Sequence, residues 1–269
     1  MTVLAGDLGG TKTLLSLVDA PDSDDGVLQL LCTRQYDSRS YDSLEGMVAM
    51  FLADAEVRQH PAPTAAGFGV AGPVSTYLPT DAPEQGRTAA IEQRAAITNL
   101  GYVIDTASLR GRFGFARVRL ANDFYAVAMY VSRLSTRLAH HGLTDALQGE
   151  VLLLSDPSKV QPDPLGTVSV LGAGTGMGQA LIVRSDGGLP LPRPVIVSTE
   201  GGHTDFAPRD EVEIEFLRFL LSRHPDHVSV ERVVCGGGLY TLYEFFRLRQ
   251  PALENPAVRD EITRAGIDA

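Results

Sequence analysis

Apolar residues in this chain come in short runs punctuated by glycine-rich turns, and the spacing within each run predicts its element. Leu4 and Ala5 lead into the turn Gly6-Asp7-Leu8-Gly9-Gly10-Thr11, and Leu14-Leu15-Ser16-Leu17-Val18 follows it, a pattern that reads as a β-hairpin. Asp42-Ser43-Leu44-Glu45 has capping-box spacing, and Leu44, Met47, Val48, Phe51, Leu52 and Ala55 then form one helical stripe, which His60-Pro61-Ala62-Pro63 closes. Gly67 to Ala71 reads as a buried strand stopped by Gly72-Pro73, and residues 73 to 96, rich in Pro, Thr and Gln, read as an irregular excursion.

Farther along, Val118 to Ala121 reads as a strand feeding directly into a helix whose apolar positions are Phe124, Val127, Ala128, Val131, Leu134 and Leu138. Prolines at 157, 162 and 164 mark a boundary region within 140 to 166. A second hairpin pattern follows, with Val168 to Leu171 and Ala180 to Val183 flanking Gly172-Ala173-Gly174-Thr175-Gly176-Met177-Gly178. The device of the first half therefore recurs in the second. Helices are expected from about Asp210 (Phe216, Phe219, Leu220) and about Leu239 (Leu242, Tyr243, Phe246), and the polar stretch from Gln250 to Ala269 carries little pattern.

With 269 residues the chain suits two compact lobes, expected over 1–133 and 134–269 with a cleft implied. An apolar share of 44% against 21% charged residues supplies buried cores and excludes a disordered chain. Twenty-three basic against 33 acidic side chains give a net charge of -10, which repels phosphodiester backbones and anionic membrane surfaces. Nucleic acid and membrane are thus not expected as partners, whereas a small anion held by backbone N–H groups is compatible with that charge. The two cysteines, Cys32 and Cys235, form no C-x-x-C, and the first residues lack a basic and long apolar leader. The uncharged run 165 to 183 holds five glycines and suits strands rather than a membrane span, so a cytoplasmic protein is expected.

Each chemical motif has a structural alternative. A single glycine-rich turn is ordinarily a tight hairpin, and neither turn matches G-x-G-x-x-G or G-x-x-x-x-G-K-[ST]. Two of them, one with Asp7 able to reach Mg²⁺ through water and one with Thr175 among glycines, fit the grip of a nucleoside triphosphate. Asn122-Asp123 sits where a strand ends and a helix begins, a place for an N-cap and also for a ligand-facing carboxylate; one side chain can cap while the other acts. Glu200-Gly201-Gly202-His203-Thr204-Asp205 gathers acceptors and a mixed partner suited to sugar hydroxyls, against the alternatives of a polar loop or a metal site without H-x-H or H-E-x-x-H. Glu231 alone reads as a helix-start acid.

Six strings in order, Gly-Asp-Leu-Gly-Gly-Thr (6–11), Val-Ala-Gly-Pro-Val (70–74), Ala-Asn-Asp-Phe (121–124), Gly-Ala-Gly-Thr-Gly-Met-Gly (172–178), Glu-Gly-Gly-His-Thr-Asp-Phe-Ala-Pro (200–208) and Glu-Arg-Val-Val-Cys-Gly-Gly-Gly-Leu (231–239), together resemble bacterial-type glucokinases of the actin-like sugar kinase superfamily. The resemblance implies a two-lobed α/β fold of the actin-like, ribonuclease H-like kind with a central cleft. It implies that Asn122, Asp123, Glu200, His203 and Glu231 hold glucose, with Asp123 as catalytic base and Asn99 on a further sugar-side loop. It implies that ATP phosphates lie on Gly6, Asp7, Leu8, Gly9, Gly10 and Thr11 and on Gly172, Gly174, Thr175, Gly176 and Gly178, with Mg²⁺, and that the protein is a homodimer. Relatives continue beyond the 231–239 motif through an adenosine-side segment, where this sequence ends at Ala269. Competing classes are a sugar-binding module without turnover and a kinase of the same superfold acting on a carboxylate such as acetate.

Overall fold

The computed structural model describes residues 1–21, 28–79, 91–97, 100–141, 166–184 and 194–264, with 154 and 163 as isolated positions. Residues Met1–Met129 and Tyr130–Ala269 form two compact units.

The first unit is organised by a five-stranded sheet in the order β3-β2-β1-β4-β8, built from β1 (Thr2–Leu8), β2 (Lys12–Asp19), β3 (Gln29–Asp37), β4 (Ala65–Val70) and β8 (Arg117–Asn122). β1, β2 and β3 run antiparallel as a meander, while β4 and β8 add parallel to β1. Side chains alternate across a strand, and here one face takes Leu4, Leu8, Leu15, Leu17, Phe68, Val70 and Leu120, all nearly inaccessible. That face packs with Leu44, Met47, Val48 and Phe51 of α1 (Leu44–Ala53) and Leu109 of α2 (Thr106–Phe113).

α1 starts one residue later than the capping-box spacing suggests. Ser43, extended at φ -162° and ψ 154°, accepts from the Gly46 N–H at 3.2 Å, which leaves Glu45 free to accept from the Ser108 hydroxyl at 2.7 Å. Asp105 caps α2 by accepting from the Ala107 and Ser108 N–H groups, and Gly114, left-handed at φ 71°, ends it.

The excursion expected over 73 to 96 contains two strands, β5 (Val74–Tyr77) and β6 (Glu92–Ala96), joined by β7 (Val103–Asp105) in a second sheet of order β5-β6-β7. Their polar residues form specific pairs. Glu92, only 5% exposed, is held by Thr106 and Arg110, and Asp105 accepts from Arg94 at 2.5 Å and from the Tyr77 hydroxyl at 2.8 Å.

The second unit carries a three-stranded antiparallel sheet, β11-β10-β9, from β9 (Val168–Ala173), β10 (Met177–Val183) and β11 (Val195–Thr199). α4 (Glu211–Leu221) is capped by Asp210, which accepts from the Glu213 N–H at 2.8 Å, while Glu213 in return accepts from the Arg209 N–H. Phe216 and Leu220 of α4 pack with Val228 and with Phe245 of α6 (Gly236–Arg249). Between them, α5 (Glu231–Val234) is a single turn.

Two expectations are corrected at the helices. The segment from Gln250 is ordered as a 3-10 turn and α7 (Pro256–Arg264), with Asn255 accepting from the Ala257 N–H at 3.0 Å and Pro256 in the first helical position. In α3 (Asp123–His141) the buried line runs through Ala128 and Ser132, and Val127 is 45% exposed, because the helix turns a different edge of its stripe inward.

Gly6 owes its identity to the core. A Cβ there would collide with the Phe68 ring and come within 3.1 Å of Leu15. We expect Gly6→Ala to lower the unfolding free energy by about 1–3 kcal/mol through overpacking, read from denaturant titration.

Candidate active site

The parallel strands end on common rungs. Leu8 pairs with Val70 and Val70 with Asn122; one residue earlier, Asp7 pairs with Gly69 and Gly69 with Ala121. Asp123 follows at once as the first residue of α3. Gly69 is the gap between the two acids: a Cβ on it would stand 3.5 Å from the Asp123 Cα and 3.8 Å from the Gly6 carbonyl oxygen.

Asn122 does the capping. Its Oδ1 accepts from the Phe124 N–H at 3.0 Å and the Tyr125 N–H at 3.2 Å, while among the described residues Asp123 Oδ1 accepts only from its neighbour Phe124, at 2.7 Å. The second Asp123 oxygen is not engaged by the helix. Partial burial pushes the Asp7 carboxyl above its usual value, the Asp123 charge pushes it further, and Lys12 opposes both. Asp7 still reaches solvent, so the desolvation is incomplete. Two carboxylates that repel each other at the mouth of a glycine turn suit a hydrated divalent cation, which relieves that repulsion. Among the described residues no group of three or more His, Cys, Asp or Glu forms a dry metal cage.

The first glycine turn is closed by the Gly9 N–H donating to the Lys12 carbonyl at 3.0 Å. It is braced from behind by Ser38, which is fully buried: its hydroxyl donates to the Gly9 carbonyl at 2.8 Å and lies 2.9 Å from the Thr13 hydroxyl, and its N–H donates to the Thr11 carbonyl at 2.9 Å. Sequence reasoning missed Ser38, since a serine 29 positions from its partner leaves no local pattern.

In the second unit the other glycine turn is closed by the Gly174 N–H donating to the Gly176 carbonyl at 2.9 Å, and its Gly174 carbonyl accepts from the Gly236 N–H at 3.0 Å. Glu231 reaches the same turn. Its Oε2 accepts from the Met177 N–H at 2.8 Å and would lie 2.7 Å from a Cβ on Gly176, so a side chain at that position would have to displace the Glu231 carboxylate. The Met177 carbonyl, in turn, lies against buried Gly202, where a Cβ would approach to 2.6 Å. Met177 thus joins three of the sequence motifs, the turn 172–178, the loop after Glu200 and the start of α5. Thr175 lies in the turn, and Gly172 and Gly178 face each other in the β9–β10 ladder.

Glu200 precedes and His203 ends a 3-10 turn, Gly201–His203, with Oε2 and Nε2 3.7 Å apart and both side chains open to solvent. Asp205 instead pairs with His227 at 2.8 Å. Asn99 lies outside the described residues. Both cysteines are free and buried; burial pushes the Cys235 thiol up, and the Glu231 charge adds to this. No helix among the described residues is long and apolar enough to cross a membrane.

A mixed α/β chain that repeats a glycine-rich strand-turn-strand hairpin in two units, with carboxylates at the strand ends, has the fold of the actin-like ATPase class. A glucokinase structure from an Antarctic psychrotroph superposes with a TM-score of 0.64 at 25% identity, covering 93% of this chain and 65% of that one. The fold is shared as well by a *Balamuthia mandrillaris* glucokinase solved with glucose, at TM-score 0.59 and 19% identity over 96% of this chain and 65% of that one. Among curated relatives, the glucokinase of Nostoc punctiforme is 34% identical over 95% of this chain and 63% of its own length. That of Marinobacter nauticus is 30% identical over 99% and 69%. The glucokinase family profile matches residues 4–269, and the chain belongs to that family. It spans somewhat less than two thirds of the first of these curated relatives.

We expect Asp7→Asn to raise the melting midpoint at pH 7. The folded-state carboxyl titrates above its unfolded value, so its charge costs stability above that titration and the cost disappears as pH falls through it. The stabilisation by Asn should therefore shrink toward acid pH, and a pH series of melting curves checks this.

Proposed function

We propose that the protein transfers the γ-phosphoryl group of ATP to the 6-hydroxyl of glucose. Membership of the glucokinase family supports the reaction, and the observation that carries the mechanism is the division of labour at the end of β8, where Asn122 caps the helix and Asp123 keeps an oxygen for chemistry.

A primary alcohol is too weak an acid to ionise at neutral pH, so a carboxylate must take its proton as the oxygen attacks. Asp123 takes that role. As the 6-oxygen bonds to the γ-phosphorus, the bond from phosphorus to the β–γ bridging oxygen breaks, its electron pair leaves with ADP, and the hydroxyl proton goes to Asp123. Asn122, Glu200, His203 and Glu231 hold the sugar hydroxyls, and Asn99 belongs to the same reading. The backbone N–H groups of 6–11 and 172–178 hold the phosphates. Asp7 would hold Mg²⁺ through water, and the cation would supply charge neutralisation on the phosphates. Residues 1–133 and 134–269 are the two functional lobes of this reading, in a cytoplasmic homodimer.

Glucose as the acceptor is supported by relatives named for it and by the *Balamuthia mandrillaris* enzyme solved in complex with it. A carboxylate acceptor such as acetate would meet the Glu200 charge, which favours hydroxyl donors. A coupled assay for ADP release across a hexose panel tests the proposal, and no release with any hexose would overturn it.

Asp123→Asn should abolish turnover while glucose affinity stays within about tenfold, because an amide retains size and hydrogen bonding and cannot accept the proton. Asn is also a competent cap, so an Asp123 with only a structural role predicts normal activity in the same variant. Glu200→Ala and His203→Ala should each weaken glucose binding by calorimetry with no change in metal content; loss of a stoichiometric transition metal would refute the sugar reading of that loop.

A further inference from the structure

Among the described residues β8 is an outer strand, paired only with β4. The backbone groups on the free side of such a strand have no neighbouring strand to satisfy them. At Leu120, 3% exposed, a side chain supplies the missing neighbour: Gln93 Oε1 accepts from the Leu120 N–H at 2.9 Å, and Gln93 Nε2 donates to the Leu120 carbonyl at 2.9 Å. A carboxamide carries a donor and an acceptor in one plane, so it can complete both bonds of one strand residue. Gln93 is itself anchored, since its backbone N–H donates to Thr106 Oγ1 at 2.8 Å and the adjacent Glu92 is buried on the same threonine.

Leu120 lies two residues before Asn122 and three before Asp123 on the same strand end. We infer that Gln93 is a positioning residue for phosphoryl transfer: by clasping both backbone groups of Leu120, it fixes the end of β8 that presents Asp123. It touches no substrate. The inference rests on the reading of Asp123 as the base. A base must stay within hydrogen-bond reach of the hydroxyl, and displacements of about 1 Å at a reacting group cost on the order of a hundredfold in rate.

The test uses Gln93→Met, which keeps side-chain length and removes both bonds, and Gln93→Glu, which keeps the acceptor and sets a carboxylate against the Leu120 carbonyl. Both are assayed in the full chain well below melting, with the folded fraction measured by circular dichroism. We expect kcat to fall by about tenfold or more in each, with KM for ATP within about twofold, and the Leu120 amide to exchange faster with solvent in Gln93→Met. On an Asp123→Asn background, Gln93→Met should produce no further loss of the trace rate read in single-turnover assays at high enzyme concentration.

A folded Gln93→Met with kcat within about twofold of the parent would overturn the inference even if its melting point fell. So would a full additional loss on the Asp123→Asn background, since Gln93 would then act elsewhere. Should Gln93→Met not fold, Gln93→Glu carries the same comparison. An unchanged Leu120 exchange rate refutes the clasp whatever the activity, whereas normal turnover in Asp123→Asn alone refutes the base and not the clasp.

Discussion

The site of the first unit depends on one constraint, the shared register of three parallel strands. β1, β4 and β8 stop on the same rung, and this alone brings Asp7 and Asp123 to either side of Gly69. A one-residue slip in any of these strands would turn its side chains to the opposite face, exchanging Asp7 for Leu8 and emptying the core beneath. The alternation that buries Leu4, Leu8, Leu15, Leu17, Phe68 and Val70 therefore also points Asp7 outward. Core and chemistry are set by the same two-residue period.

In the second unit, a backbone amide and carbonyl take the place of a sheet rung. Met177 gives its N–H to Glu231 and its carbonyl faces Gly202, so the turn, the Glu200 loop and α5 cannot move independently at that point. If the same carboxylate also meets a sugar hydroxyl, as proposed, its bond to the turn's backbone would bear on the geometry it offers the sugar.

Signals confined to a few neighbouring residues were legible in the sequence. The two glycine turns, the Asp210 cap with Glu213, and the direct passage from β8 into α3 all lie within a few positions of their own partners. Contacts made at long range were not: Ser38 behind Gly9, Gln93 on Leu120 and Glu231 on Met177 are ordinary polar residues until the fold delivers them. β5 and β6 escaped notice because Glu92 and Arg94 break an apolar pattern, yet each charge is matched, by Arg110 and by Asp105. Helix α7 carried a readable signal in Asn255-Pro256, hidden by the polarity of the residues around it.

The strand order has a consequence for how the protein is made. β1, β2 and β3 pair with near neighbours in sequence, whereas β4 reaches β1, and β8 reaches β4, only after long intervening segments have been synthesised. While the chain is emerging from the ribosome, the meander can form early, and the side of β1 that will receive β4 stays bare, a row of unpaired amides beside Leu4 and Leu8 open to another nascent chain. Asp7 waits there without Asp123, so the acid pair comes into being only when β8 closes the sheet on β4.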